Sequence, residues 1–320
     1  MSSSCWRVSL ASNGPAYARR CEAVSISAVA RLRIVPCADG DEAAAEVRRA
    51  LDLPRETASA LGFSALHALR DGRYANARGE AVEIKAWVEA AVAAKVSLPP
   101  DAPLPRPRPE RFAEMTVAVA NETTMTAGRR LTDHGHSTLA LNFANGVSPG
   151  GGFLRGARAQ EEVLCRASAL YLTLEGDAMY DAHRRRADQA SSDWAILSPR
   201  VPFFRTDDGT PLDAPWRLDV LTCAAPVAHD AGGNPADLLC RRISRVLTIA
   251  EAYGYEALVL GAWGCGAFGN DPARTARDFR DALSGPFLGV FEHVVFAIAD
   301  WSPERRFLGP FRDAFAASAG

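Results

Sequence analysis

Three consecutive glycines, Gly150-Gly151-Gly152, are followed after seven residues by Gln160-Glu161-Glu162. Successive glycines reach positive φ, let a ligand approach without Cβ interference and turn their N–H groups into a concave donor surface. Two carboxylic acids stand where that surface ends, which suggests an anion-binding loop delivering an acid to a bound sugar phosphate. Asn142 and Asn145 lie just upstream, and amide side chains offer both donor and acceptor to sugar hydroxyls. Asn145-Gly146 taken alone is equally a turn.

Consecutive residues on a helix are separated by about 100° around its axis, so Glu161 and Glu162 cannot face one bond from opposite sides. Ordinary glycosidases place two carboxyls across the scissile bond. Here one acid would have to serve, with the other holding a hydroxyl. The helix dipole lowers the pKa of such an acid, whereas a like-charged neighbour and a bound diphosphate raise it. The alternative is that both acids merely complement the helix N-terminus, Glu162 pairing with Arg166 four residues on.

A second glycine loop runs from Gly264 to Gly269 between an apolar run at 257–261 and Asp271-Pro272, an N-cap followed by a first-turn proline. It matches G-x-G-x-x-G, yet a dinucleotide fold needs further βα units and an acid about 20 positions on, for which the remaining chain has no room. An oxidoreductase reading rests on that match alone. The physics of the loop remains: close backbone approach and a helix N-terminus suited to a phosphate or diphosphate. Phe268 would either stack on a ribose or base edge or simply pack.

Other residues carry less. His134-Gly-His136 lacks a third ligand at usual spacing, so it reads as a solvated turn and no metal is expected. Asp207-Asp208-Gly209 also reads as a turn. Cys165 and Cys265 have no sequence-adjacent histidine and read as buried structural thiols. Arg184-Arg185-Arg186 and Arg241-Arg242 read as solvated helix faces.

These motifs need a scaffold. Apolar runs at 116–120, 138–143, 194–197, 218–222, 257–261 and 293–299 alternate with helical patterns at 160–174, 236–253 and 272–283, an α/β layout with helices on both faces of a sheet. Residues 42–51 read as a short helix and 56–98 as helical, with a turn at Asp71-Gly72 and a helix over 82–94. Residues 24–29 alternate like a strand. Prolines from Pro99 to Pro109 break any regular element and mark a linker. The expected organisation is an unassigned segment 1–55, a helical extension with linker 56–110 and a catalytic domain 111–320. A chain beginning near Leu61 would test whether the first segment is dispensable.

At 320 residues and 48% hydrophobic composition the chain is long enough for a sizeable core. A net charge of −2 supplies no basic field for nucleic acid, so no direct DNA binding is expected. Seven cysteines without a C-x-x-C pair argue against a disulfide framework and zinc, and fit a reducing cytoplasm. No membrane span or secretory signal is evident.

The triple glycine and Gln160-Glu161-Glu162, with Asn121-Glu122-Thr123-Thr124-Met125, Asn142 to Asn145 and Leu260 to Pro272, resemble the microbial-type poly(ADP-ribose) glycohydrolases over about residues 60 to 300. The resemblance implies a macrodomain, a three-layer α/β/α fold with a central mixed sheet that binds ADP-ribose, plus a smaller N-terminal helical extension. It implies hydrolysis of ribose–ribose bonds in poly(ADP-ribose) from chain ends, without a cofactor, by a monomer acting on polymer or ADP-ribosylated protein. Glu162 would be the general acid and base, Glu161 would hold a ribose hydroxyl, and Gln160 would help anchor substrate. Asn145 would hold the distal ribose beside Gly150, Gly151 and Gly152. Gly264, Gly266 and Phe268 would wrap the diphosphate and ribose, and Glu122 would contact adenine. Within the same fold, hydrolysis of mono-ADP-ribosyl groups or non-catalytic ADP-ribose binding are the alternatives.

Overall fold

A computed structural model describes residues 30–107 and 111–316. The strand-like run 24–29 lies outside them. Among the described residues, eight strands form one mixed sheet: β1 (Arg31–Ile34), β4 (Val96–Leu98), β5 (Glu114–Ala120), β6 (Thr138–Phe143), β7 (Ala195–Arg205), β8 (Pro211–Cys223), β9 (Ala257–Leu260) and β10 (His293–Ala297), in the spatial order β1-β5-β10-β9-β6-β8-β7-β4. Neighbours are parallel from β1 to β8, and β7 and β4 add antiparallel pairs at one edge. A separate hairpin pairs β2 (Arg73–Ala75) with β3 (Ala81–Glu83).

Central strands are mostly apolar because both faces are covered. Alternate residues point to opposite layers: Leu139, Leu141, Leu258, Leu260 and Phe296 join one core, while Ala140, Ala257, Val259, Val295 and Ala297 join the other. The first core is covered by α8 (Pro235–Ala252), α9 (Pro272–Ser284) and α10 (Leu308–Ala314). The second is covered by α2 (Arg55–Asp71), α3 (Lys85–Ala94), α4 (Thr124–Asp133), α5 (Gln160–Ala167), α6 (Leu170–Leu174) and α7 (Ala178–Arg184). This is a three-layer α/β/α arrangement. No described helix is long and apolar enough to cross a membrane.

Three elements differ from the sequence expectation. The helix expected over 160–174 ends at Ala167, because Ser168 is extended and bridges Phe203 of β7, its hydroxyl donating to Leu164 O. β7 continues past Pro199 and Pro202 through an irregularity between Ser198 and Val201, and turns back into β8 at the expected Asp207-Asp208-Gly209 turn. The segment 56–98 is not wholly helical: it contains the β2–β3 hairpin and β4, an edge strand of the main sheet, and α3 starts at Lys85. α1 (Asp41–Leu51) matches the expected short helix, and β1 gives the 1–55 segment a place at the other sheet edge.

Candidate active site

Ligands in α/β sheets settle beyond the carboxyl ends of strands. Here the chain leaving β5, β6, β9 and β10 lines one cavity of about 330 Å³, with Glu122 and Thr123 from the first, Phe143 and Ala144 from the second, Gly264, Gly266 and Phe268 from the third and Trp301 and Phe307 from the fourth. Gln160 and Asp207 also face it. Asn145, the triple glycine and the two glutamates do not line this cavity; they adjoin it where Ala144 and Gln160 form its wall.

Gln160 explains how α5 is docked. Its Oε1 accepts from Phe143 N at 2.9 Å, and its Nε2 donates to Leu141 O at 2.7 Å and Thr124 Oγ1 at 3.1 Å. The amide is therefore committed to β6 and α4, and Gln160 holds the helix rather than offering a free group to substrate. That placement buries both acids that follow, Glu161 at 3% and Glu162 at 8% exposure.

Their hydrogen bonding is unequal. Glu161 accepts from Asn145 N at 2.7 Å and from Asn142 Nδ2 at 3.4 Å, one donor on each oxygen. Glu162 accepts from Gly152 N at 2.9 Å through Oε1, while Oε2 is buried with no partner. Burial pushes the Glu161 carboxyl up to about 8, the Glu162 charge adding to the rise and the Asn145 N–H opposing it. Glu162 makes no ion pair with Arg166; the Arg166 guanidinium donates instead to Ala157 O at 2.9 Å.

The glycines have distinct reasons. Gly151 has φ +58°, and a Cβ there would stand 2.3 Å from Glu162 Oε1 and 3.1 Å from Glu161 Oε2. Its missing side chain makes room for the acids. Gly150 also needs positive φ, +69°, against the Phe153 ring. Gly264 has φ +75° and abuts Asn270, whose Nδ2 donates to Gly264 O and Pro226 O. A Cβ on Gly266, by contrast, would meet no protein atom, so its bareness faces open space at the cavity. Phe268 is half-buried, packed on the core and exposed to the cavity.

Asn145 closes an Asx turn, its Oδ1 accepting from Val147 N and Ser148 N at 2.9 Å. Glu122 lines the cavity and pairs with Arg130. Cys165 and Cys265 are buried, and burial raises both thiols, Cys265 to about 12, so neither forms a ready thiolate.

Several residues escaped the sequence reading. His183 bonds Gly146 O at 2.9 Å and Ser192 Oγ at 2.7 Å, clasping the Asn145 turn from α7. Arg242 is not on a solvated face: it is 1% exposed, meets Asp193 at 3.2 Å and donates to Ala190 O and Ala224 O. Asp207 sits in the expected turn, but its carboxylate accepts from Thr123 Oγ1 at the cavity wall, and burial pushes it up to about 6. Partners 9 to 84 residues away in sequence, none at a spacing that marks a motif, leave no local signal for these roles.

The chain matches the family model of the microbial-type PARG catalytic domain over residues 64–206. It is similar to the crystal structure of poly(ADP-ribose) glycohydrolase from Thermomonospora curvata, with 38% identity and a TM-score of 0.77, covering 81% of this chain and 99% of that one. The complex of that enzyme with the inhibitor ADP-HPD matches with 38% identity and a TM-score of 0.73 over the same shares. The poly(ADP-ribose) glycohydrolase of Deinococcus radiodurans in complex with ADP-ribose matches with 39% identity and a TM-score of 0.64, covering 71% of this chain and 96% of that one. Among curated proteins, none matches the chain.

Proposed function

The chain belongs to the bacterial poly(ADP-ribose) glycohydrolases, enzymes that hydrolyse poly(ADP-ribose), and from that premise we propose that it releases ADP-ribose from polymer ends with Glu162 as the proton-transfer group. The observation that carries the assignment is the unequal partnering of the acids. Glu161 has a protein donor on each oxygen, whereas Glu162 keeps Oε2 buried and unpartnered beside a Gly152 N–H that fixes Oε1. A free, oriented oxygen is what proton transfer at a substrate atom needs.

In this reading the ADP-ribose moiety, the ligand of the Deinococcus relative, occupies the cavity beyond β5, β6, β9 and β10. The Gly264–Gly269 loop and Phe268 hold its diphosphate and ribose, Glu122 contacts the adenine, and the Asn145 turn with Gly150 to Gly152 holds the ribose at the scissile bond. The glycosidic C–O bond breaks with its electron pair going to the departing ribose oxygen, which takes the Glu162 proton. The remaining sugar carbon is oxocarbenium-like, and the nearby diphosphate stabilises that charge without a second carboxylate. Water then adds to this carbon and gives its proton to Glu162, which restores the acid. Glu161 positions a ribose hydroxyl, and Gln160 acts through its hold on β6. The partner is polymer or ADP-ribosylated protein rather than DNA, and the enzyme works as a cytoplasmic monomer.

Labelled polymer tests this. Wild-type protein releases ADP-ribose, and Glu162→Ala slows release by about 10²–10⁴-fold, the usual contribution of acid–base catalysis, while calorimetric ADP-ribose affinity persists. Undiminished release by that variant overturns the assignment. A parallel panel of mono-ADP-ribosylated substrates separates polymer hydrolysis from mono-ADP-ribosyl hydrolysis.

A further inference from the structure

The His134-Gly-His136 turn lacks a third ligand in sequence; in the fold His136 meets two other candidate ligands, and His134 turns away to bond Arg130 O. β6 and β10 both begin at the sheet end opposite the cavity, and there His136, Glu292 and His293 each offer one ligand atom, all within 4.8 Å of one another. His136 Nδ1 lies 3.5 Å from Glu292 Oε2, and the His136 and His293 rings stand with centroids 4.5 Å apart, tilted by 60°. We propose that His136, Glu292 and His293 form a binding site for a zinc-type transition-metal dication, remote from the active site.

The distances suit such an ion. Zinc bonds nitrogen and carboxylate oxygen at about 2.0–2.2 Å in tetrahedral geometry, which sets ligand atoms roughly 3.3–3.5 Å apart. The His136–Glu292 separation already meets this, and the three side chains are only partly buried, so a small rotation of the His293 ring completes the set while an ion can enter. Two imidazoles and one carboxylate select zinc, cobalt or nickel over magnesium and calcium, which take oxygen ligands. Water fills the fourth position.

The main chain holds the ligands in place. Ser137 O accepts from Glu256 N at 2.9 Å and Ala257 N at 3.0 Å, and Glu256 O accepts in turn from Glu292 N at 2.8 Å and His293 N at 3.2 Å. Glu256 Oε2 also accepts from Ser137 N at 3.2 Å. His136 is tied to the end of α4 by its N–H to Leu131 O. Thus the starts of β6, β9 and β10 are interlocked before any ion binds, as a precise site requires. Arg33, a cation that acts on His293, is paired with Glu114 at 2.9 Å.

Full-length protein stripped with a chelator is titrated with zinc chloride and, separately, magnesium chloride in a calorimeter. One equivalent of zinc binds, magnesium does not, and zinc raises the melting temperature. His136→Ala and His293→Ala each weaken zinc binding by more than the roughly 10- to 100-fold that loss of an outer-shell partner costs, and Glu292→Gln supplies a third variant should one fail to fold. Polymer hydrolysis by the stripped variants stays at the wild-type level, so the readout is independent of the active site. Absence of saturable zinc heat, or equal zinc affinity in wild type and folded variants, overturns the proposal.

Discussion

Glu161 couples the chemistry of the site to the stability of the fold. Its ordinary value is 4.5, and burial beside Glu162 pushes it up to about 8. Between those two values the folded protein keeps a proton at Glu161 that the unfolded chain has released, so stability falls as pH rises through this window. Glu161→Gln removes the titration and leaves an oxygen to accept the Asn145 N–H. Its unfolding free energy relative to wild type therefore increases from pH 5 to pH 8, by up to about 1.4 kcal/mol per pH unit, and its melting temperature relative to wild type rises with it. Differential scanning calorimetry reads this, and a pH-independent difference would contradict it. Polymer hydrolysis is expected to fall in the same variant, because an amide changes the donor and acceptor pattern of the carboxyl proposed to hold a ribose hydroxyl. In the sequence, the types and spacing of Gly150 to Glu162 pointed to an acid beside a donor loop. They did not separate the two glutamates, since their difference lies in which oxygen meets Asn145 N or Gly152 N, a matter of tertiary placement. Gly151 was legible as glycine for ligand approach; its closest constraint is Glu162 Oε1.

At the scale of elements, the second loop depends on one buried amide. Asn270 donates to Pro226 O at 2.8 Å and Gly264 O at 3.0 Å, tying the β9–α9 loop to the segment after β8. Asn270→Ala strands Pro226 O, at about 1–3 kcal/mol for a group left unsatisfied, and leaves Gly264 O with only the main-chain N–H of residue 270 at 3.1 Å, so the Gly264–Gly269 loop proposed to hold the diphosphate is tied down less firmly. ADP-ribose affinity is expected to fall about tenfold or more, which corresponds to about 1.4 kcal/mol, with KM affected more than kcat. Calorimetry with ADP-ribose measures it, and wild-type affinity would show that the loop holds itself. The loop and the start of α9 were readable because Asp271 and Pro272 are local capping signals, and Asp271 does cap, accepting from Ala273 N. The break at Ser168 was not readable: its extended backbone is set by β7, 35 residues on, which overrides the helical periodicity of 160–174.

For the whole molecule, the two sheet edges tie the N-terminal segments to the catalytic centre. β1 pairs with β5 over Arg31 to Ile34, and Arg305 meets Asp39 at 2.9 Å with both side chains largely buried, next to Asn121 at the end of β5. Closer to the acids, Arg55 donates to Arg155 O, Ser59 to Leu154 O, and Arg158 to Leu53 O, so α2 and the turn before it brace the segment between the triple glycine and α5. Four residues of alternating Arg, Leu, Arg and Ile carry too little pattern to declare a strand whose partner is 83 residues away. A chain beginning at Leu61 would lack β1, α1 and the first turn of α2, exposing the edge of β5 and releasing the Arg155–Arg158 segment. Exposed strand edges template aggregation. The shortened chain is therefore expected to have lower soluble yield and a lower melting temperature, with polymer hydrolysis reduced in the soluble fraction. Size-exclusion chromatography, thermal unfolding and labelled-polymer hydrolysis on the two chains decide it. Equal melting temperature and full activity would make residues 1–60 an accessory to a fold that is complete without them.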